Sequence, residues 1–313
     1  MTTPQGASRA RDIEGMIRTR ALVAAALAAI LSGTAALAEE HGSLPPREKW
    51  TFSGVFGTFD QAQLQRGYQV YREVCSNCHS MNYVRFRNLA EEGGPDFTEA
   101  QVKALAAEYK VKDGPNDQGE MFERPGRPAD KLPAPFPNEQ AAAVANGGKA
   151  PPDLSLMAKA RTFSRGGLWF LIDWLPFVGY TEQGPDYIHA LLNGYEETPP
   201  HGVQVPDGGH YNKYYPGNII AMPKPLSDGQ ITYAKGADGK PVVPETVDQY
   251  SRDVIAYLMW TAEPHLIARK QLGLRAILFL LVLAGLFYYV KKKVWADVGG
   301  ETHGLQPELH KAG

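Results

Sequence analysis

Cysteine is almost absent from this chain: among 313 residues there are only Cys75 and Cys78. Two cysteines separated by two residues cannot staple distant loops, so a disulfide scaffold is excluded. Four thiolates for a structural zinc or an iron–sulfur cluster are missing too. Net charge is equally scarce, and a formal charge of −2 leaves no extended basic footprint for nucleic acid. Strand signals are few, at most a small hairpin around residues 230–243, and there is no internal repeat. Hydrophobic residues at 43% and charged residues at 21% exclude both a disordered chain and a polytopic membrane protein. The length suits one large domain or two small ones.

The small net charge hides an asymmetry. Residues 1–38 carry a net +2 and residues 263–313 a net +3, whereas residues 39–262 carry 21 basic against 28 acidic residues, a net −7. An acidic body between basic ends suits a cationic partner in solution, although solubility alone could account for it. The densest acidic run is Glu91, Glu92, Asp96 and Glu99.

Both ends concern a membrane. Arginines within residues 9–20, an uncharged Ala/Leu-rich stretch at 21–31 and Ala36-Leu37-Ala38 together read as a secretory signal peptide, cleaved to leave Glu39 first. Residues 276–290 hold no charge, and extending the segment back to Gln271 gives a helix of about 30 Å, enough to cross a hydrocarbon core. Arg275 lies within snorkelling reach of the headgroups. Tyr288, Tyr289 and Trp295 supply interfacial aromatics, and Lys291-Lys292-Lys293 marks the cytoplasmic end. The expected order is therefore signal peptide 1–38, an extracytoplasmic body 39–262, an anchor helix 263–295 and a cytoplasmic tail 296–313.

The body reads as short helices joined by long, proline-rich loops. Residues 60–75 place Leu64, Tyr68, Tyr71 and Cys75 on one helical face. Residues 98–109 open with a capping box, Thr98 and Gln101. Residues 138–146 and 185–193 are short helices closed by Gly147 and Gly194. Residues 246–263 form a longer helix ending at Pro264. Residues 113–137 read as a loop or insertion, and no helix of useful length fits 196–227.

The chemistry concentrates at Cys75-Ser76-Asn77-Cys78-His79. This C-x-x-C-H pattern is the attachment signature of c-type haem. Residues 75 and 78 lie about one helical turn apart, so each thiol can form a thioether to one vinyl group, and His79 then ligates iron from below the ring. A thioredoxin-like redox pair would need a strand–helix junction, and a helical stripe precedes this motif. A half zinc site would need a second ligand pair.

The sixth ligand must come from elsewhere. Met81 is too near His79, Met121 sits in the least structured loop, and Met157 and Met259 lie on helical segments where packing explains them. Met222 follows apolar Ile219, Ile220 and Ala221 and precedes Pro223 and Pro225, which stiffen the loop. Bis-histidine ligation by His189, His201 or His210 is the alternative.

With those residues in view, the chain resembles the cytochrome c1 family, the membrane-anchored haem subunit of the cytochrome bc1 complex. The resemblance rests on Arg66-Gly67-Tyr68-Gln69-Val70-Tyr71 before the haem motif, Ala145-Asn146-Gly147-Gly148, Pro151-Pro152-Asp153-Leu154-Ser155, Asp186-Tyr187, Ala221-Met222-Pro223 and residues 253–264 ahead of the anchor. The stretches 113–137 and 165–184 look like insertions, and the extra cysteine pair of some bacterial members is absent. The resemblance implies a mostly α, class I cytochrome c-like haem domain with long loop insertions and one C-terminal transmembrane helix. It implies one haem c on Cys75 and Cys78, with His79 and Met222 as axial iron ligands and Arg161 pairing with a propionate. A solvated helix position is the plainer account of Arg161. Asn146, Pro152 and Tyr187 would line the pocket, or simply pack. The implied partners are cytochrome b, the Rieske iron–sulfur protein as electron donor, and a soluble or tethered cytochrome c as acceptor, in a dimeric complex on the bacterial inner membrane with its haem domain in the periplasm. Electron transfer within such a complex would feed the proton-motive force, with no acid–base catalytic site in this chain. Two other readings stay open: a stand-alone membrane-anchored electron carrier, and a haem enzyme or ligand sensor with an open iron.

Overall fold

The computed structural model describes residues 43–163 and 182–296. The expected leader and most of the 165–184 stretch lie outside the described residues, as do residues 297–313 of the expected tail. The chain divides into two units, residues 1–264 and 265–313.

In chain order, the first unit contains α1 (Gln61–Glu73), a 3-10 turn (Cys75–Asn77), a second 3-10 turn (Phe86–Ala90), α2 (Glu99–Ala107), β1 (Lys110–Asp113), β2 (Phe122–Pro125), α3 (Glu139–Ala145), α4 (Met157–Ala160), α5 (Gln183–Asn193), β3 (His210–Tyr211), β4 (Ile219–Ile220) and α6 (Val247–Ala262). The expected mostly helical class is observed, with only two small two-stranded sheets among the described residues. Four helices start on side chains that accept the first free backbone N–H groups: Asp60, Thr98, Asn138 and Thr246. The capping box of Thr98 and Gln101 forms as its spacing predicts.

The core centres on α1 crossing α6. At Gly67 the backbones approach so closely that an added Cβ would lie 2.1 Å from the carbonyl oxygen of Asp253. One residue earlier, Arg66 donates through Nε and Nη2 to Asp253 at 2.9 and 3.0 Å. The Asp253 side chain is fully buried. Tyr233 and Gln249 also donate to this carboxylate, at 2.8 and 2.9 Å, so a buried charge is surrounded by four donors. Tyr68 and Tyr71 of α1 pack on Tyr257 of α6, and Tyr257 packs on Trp260, with ring centroids 5.7–5.8 Å apart. From Asp253 to Thr261 every residue of α6 is buried, so this helix is enclosed on all sides rather than amphipathic.

Helix α5 lies against α6 and α4. An added Cβ at Gly184 would sit 1.9 Å from the carbonyl oxygen of Ala158. A segment near the N-terminus is clamped to the same helices: Trp50 Nε1 donates to Asp186 at 2.7 Å, and Arg252 donates to Glu48 at 2.6 Å.

One loop expectation changes and two are sharpened. The 113–137 stretch is partly strand: β1 and β2 pair antiparallel, with Val111 opposite Arg124. Arg124 bridges Asp113 and Asp130, and the following chain pairs with residues 84–87 through Phe86 N–H to Asp130 O and Leu132 N–H to Val84 O. Backbone ladders and ion pairs build this hairpin, so it carries no apolar alternation to read. Between residues 196 and 227, β3 and β4 form a second short pair. Around 230–243, by contrast, only a single bridge, Lys235 to Pro241, flanks the turn. Helix α5 starts at Gln183, ahead of the expected 185, because Pro185 needs no hydrogen-bonded N–H in a first turn.

The second unit carries α7 (Leu266–Val294), whose 29 residues extend about 43 Å. It is the one described helix long and apolar enough to cross a membrane, and none of its apolar window is buried. Its last turn holds Lys291, Lys292 and Lys293.

The Gly67 contact gives a direct prediction. Gly67→Ala forces α1 off α6 and should lower stability by about 3 kcal/mol, at the upper end of overpacking effects. Thermal unfolding of the detergent-solubilised chain measures this, and an unchanged midpoint would contradict the crossing.

Candidate haem-attachment site

Helix α1 ends at Glu73, and the motif continues as a 3-10 turn, not the α-helical turn its spacing first suggests. The change is a tightening of the last turn: Cys78 N–H and His79 N–H both donate to Cys75 O, at 3.2 and 2.9 Å. Ser76 Oγ and Asn77 Nδ2 bond back to Arg72 O and Glu73 O, tying the turn onto α1. The two cysteines are unbridged, Cys75 half-buried and Cys78 exposed. Burial pushes the Cys75 thiol up to about 12, the opposite of the depressed value a redox-active thiol needs.

His79 is oriented by the Pro152 carbonyl, 2.8 Å from Nδ1. A carbonyl only accepts, so Nδ1 carries the proton and Nε2 presents its lone pair. Burial lowers the His79 pKa, outweighing the raising effects of Pro152 and Asp153, which keeps the ring neutral as a ligand requires. Asp153 ties the chain after the histidine to the same loop. It accepts from Ser80 Oγ at 2.9 Å, Asn82 N–H at 2.8 Å and Ser155 N–H at 2.9 Å. Burial raises the Asp153 pKa, but the bonds from Ser155, Asn82 and Ser80 outweigh it, and the carboxylate sits below its ordinary value of 3.8.

Met222 lies two residues beyond β4, half-buried. Its carbonyl accepts from Tyr195 OH at 3.0 Å. Of the competing histidines, His189 is engaged elsewhere: its Nε2 is 3.1 Å from Asp248 and its Nδ1 faces Glu48 at 3.8 Å. Burial, helped by nearby Arg252, lowers its pKa, so it is a neutral residue of the α5–α6 seam. His201 is exposed, and His210 sits in β3 opposite Ile220.

The structure brings Pro152 to His79, and it places Arg161 and Tyr187 together on a cleft of about 100 Å³ with Leu44, Phe163 and Tyr214. Arg161 is exposed at the end of α4, and Tyr187 is buried on α5. Asn146 caps α3 instead: its Nδ2 donates to Ala142 O at 2.7 Å. Reading the sequence missed the roles of Asp153 and Tyr195. Asp153 stood inside a quoted motif, but nothing in the sequence joins Tyr195 to residue 222.

The donor set fits a c-type haem. Two unbridged thiols flank a tight turn, a neutral imidazole presents Nε2, and a thioether stands on a proline-stiffened loop. Among the described residues no cluster of His, Cys, Asp or Glu could hold a bare metal ion.

A family model described as the cytochrome C1 family matches residues 50–298. The chain is 59% identical over 277 residues to "cytochrome b/c1" of Bradyrhizobium diazoefficiens, covering 88% of this chain but 39% of that protein. It is 45% identical over 294 residues to cytochrome c1 of Rhodospirillum rubrum, covering 89% of this chain and 97% of that one. It is 46% identical over 259 residues to cytochrome c1 of Blastochloris viridis, covering 82% and 88%. The chain thus spans well under half of the first relative and nearly all of the second.

Asp153→Ala removes one acceptor from three donors. It should lower stability by about 2–3 kcal/mol. Because the folded carboxylate titrates below 3.8, its contribution is complete above that pH and disappears as pH falls through the folded value. The difference in unfolding free energy between wild type and variant should therefore shrink below about pH 4. Chemical unfolding across pH tests it, and a difference that grows on acidification would contradict the account.

Proposed function

The chain belongs to the cytochrome c1 family, the electron-transfer haem subunits of the cytochrome bc1 complex, and from that premise we propose that it receives an electron from a Rieske iron–sulfur protein and passes it to a soluble or tethered cytochrome c. The observation that carries the reading is the Cys75–His79 turn with Nδ1 tied to Pro152, which leaves Nε2 as the only free ring nitrogen beside two unbridged thiols. Cys75 and Cys78 would hold one haem c through thioethers, with His79 and Met222 as axial ligands. Bound there, the haem supplies one-electron chemistry at its iron. Arg161 would pair with a propionate, and Asn146, Pro152 and Tyr187 would line the pocket.

This chain's residues do the holding and the insulating. Pro152 keeps His79 in its ligating tautomer. Ile219, Ile220 and Leu226 flank the Met222 loop with apolar side chains, which would keep water from a haem held there and favour its less charged state. Glu91, Glu92, Asp96 and Glu99 are all exposed, and an acidic surface speeds docking of a basic partner at low salt. The α7 helix would anchor the chain beside cytochrome b, with residues 39–262 in the periplasm, residues 1–38 removed on export and the tail in the cytoplasm. The complex would be dimeric and contribute to the proton-motive force. An optical spectrum of the solubilised complex with both b-type and c-type bands distinguishes this from a stand-alone carrier.

Two variants test the assignment. The double substitution Cys75→Ala/Cys78→Ala should abolish covalent haem, so a normally haem-stained band on a denaturing gel would overturn it. Met222→Leu keeps the volume but removes the donor atom. It should lower the midpoint potential and admit carbon monoxide to the reduced protein, with haem still attached. An unchanged redox titration with no carbon monoxide binding would transfer the sixth position to His201 or His210.

A further inference from the structure

The loop that ends in Met222 is held from behind by side chains that no part of the haem motif supplies. Tyr195 follows Gly194, the residue that ends α5, and its hydroxyl donates to the Met222 carbonyl at 3.0 Å. Asn212 is fully buried between the same helix end and the β3–β4 hairpin. Its Nδ2 donates to Leu191 O at 2.8 Å, its Oδ1 accepts from Tyr214 N–H at 3.1 Å, and its own N–H donates to Asn218 O at 2.8 Å. Asn218 closes the turn in the left-handed region, at φ 60°, and its side chain bonds to Asn212 O and Lys213 O. A bridge between Tyr195 and Asn212 joins the two backbones.

These contacts form a chain of constraint from the C-terminal end of α5 to Met222. Asn212 pins the hairpin to α5, the β3–β4 ladder sets where Ile220 emerges, and Tyr195 holds the Met222 backbone two residues later. A methionine side chain has three rotatable bonds, so its sulfur is delivered to one place only if its backbone is fixed beforehand. Pro223 stiffens the outgoing side of residue 222, and Tyr195 is the hydrogen bond on residue 222 itself.

We propose that Tyr195 is a positioning residue for Met222, its hydroxyl fixing the Met222 carbonyl so that the thioether keeps its place against competing ligands, with Asn212 pinning the hairpin that leads to it. The inference rests on the reading of Met222 as the sixth ligand.

The test is imidazole binding to the ferric, haem-loaded full chain in detergent, followed by the shift in its visible absorption. Tyr195→Phe keeps the ring and removes only the hydroxyl. It should load haem normally and bind imidazole about fivefold to tenfold more tightly than wild type, the change in competition that one hydrogen bond confers. Tyr250→Phe removes a hydroxyl bonded to Ile231 O in the core and should bind imidazole as wild type does, even if its melting temperature falls. Met222→Leu should bind most tightly of all. If Tyr195→Phe matches wild type while Met222→Leu opens, the positioning role is overturned and the ligand assignment stands. If both tyrosine variants tighten binding equally, the effect is general loosening and the positioning role is again overturned. If Met222→Leu matches wild type, the ligand assignment itself fails.

Discussion

The crossing of α1 over α6 at Gly67 is the contact on which the rest of the haem domain depends. The absence of a side chain there lets two helices meet backbone to backbone, and Arg66 and Asp253 lock their register with a fork of two charged hydrogen bonds. A rotation of α1 by one residue, about 100°, would remove both features at once. It would also turn Tyr68 and Tyr71 away from Tyr257. The C-x-x-C-H turn is tied to the end of α1 through Ser76 and Asn77, so its direction follows from that register. A buried ion pair is weak evidence for stability in general. Here the four donors around Asp253 leave it no unmet polar demand, and its position makes it a register device.

The residues beyond the motif are arranged by hydrogen bonds to loops rather than by apolar burial. Pro152 and Asp153 hold the imidazole and the chain after it, and Tyr195 and Asn212 hold the Met222 loop. Both sets use backbone carbonyls or amides as one partner, which positions the chain without adding side-chain volume. The α5 helix serves both ends of this arrangement: Asp186 and His189 fasten it to the Trp50 segment and to α6, Tyr187 borders the Arg161 cleft, and its C-terminus receives Asn212. The cluster of Glu48, Asp248 and Arg252 around His189 is thus structural. Arg252 pairs with both carboxylates and lies 5.9 Å over the Trp50 ring.

The second unit obeys a different solvent. Helix α7 exposes Ile277, Leu278, Phe279, Leu280, Leu281 and Val282, a surface that water would not tolerate but hydrocarbon would. At about 43 Å it exceeds the roughly 30 Å hydrocarbon core, so Arg275 at one edge of the uncharged middle and Lys291 to Lys293 at the other can reach headgroups while that middle stays in lipid.

The C-x-x-C-H turn and the apolar anchor helix were legible locally, because each depends on residues adjacent in the chain. Spacing alone put two thiols and an imidazole within one turn, and an uncharged run followed by three lysines needs no tertiary context to be read. The capped helices were equally plain, since Thr98 with Gln101 satisfies backbone donors within its own turn. What only the tertiary structure decided was which distant residue meets which. Pro152 reaches His79 across 73 positions, Arg66 reaches Asp253 across 187, and Tyr195 reaches Met222 across 27. The β1–β2 hairpin stayed hidden because ion pairs and backbone bonds build it without apolar alternation. His189 could be separated from the ligand candidates only once Asp248 was seen against its ring, 59 residues away. Local bonding patterns are written in spacing, whereas a hydrogen bond between remote segments exists only after helix packing has brought its two ends within 3 Å of each other.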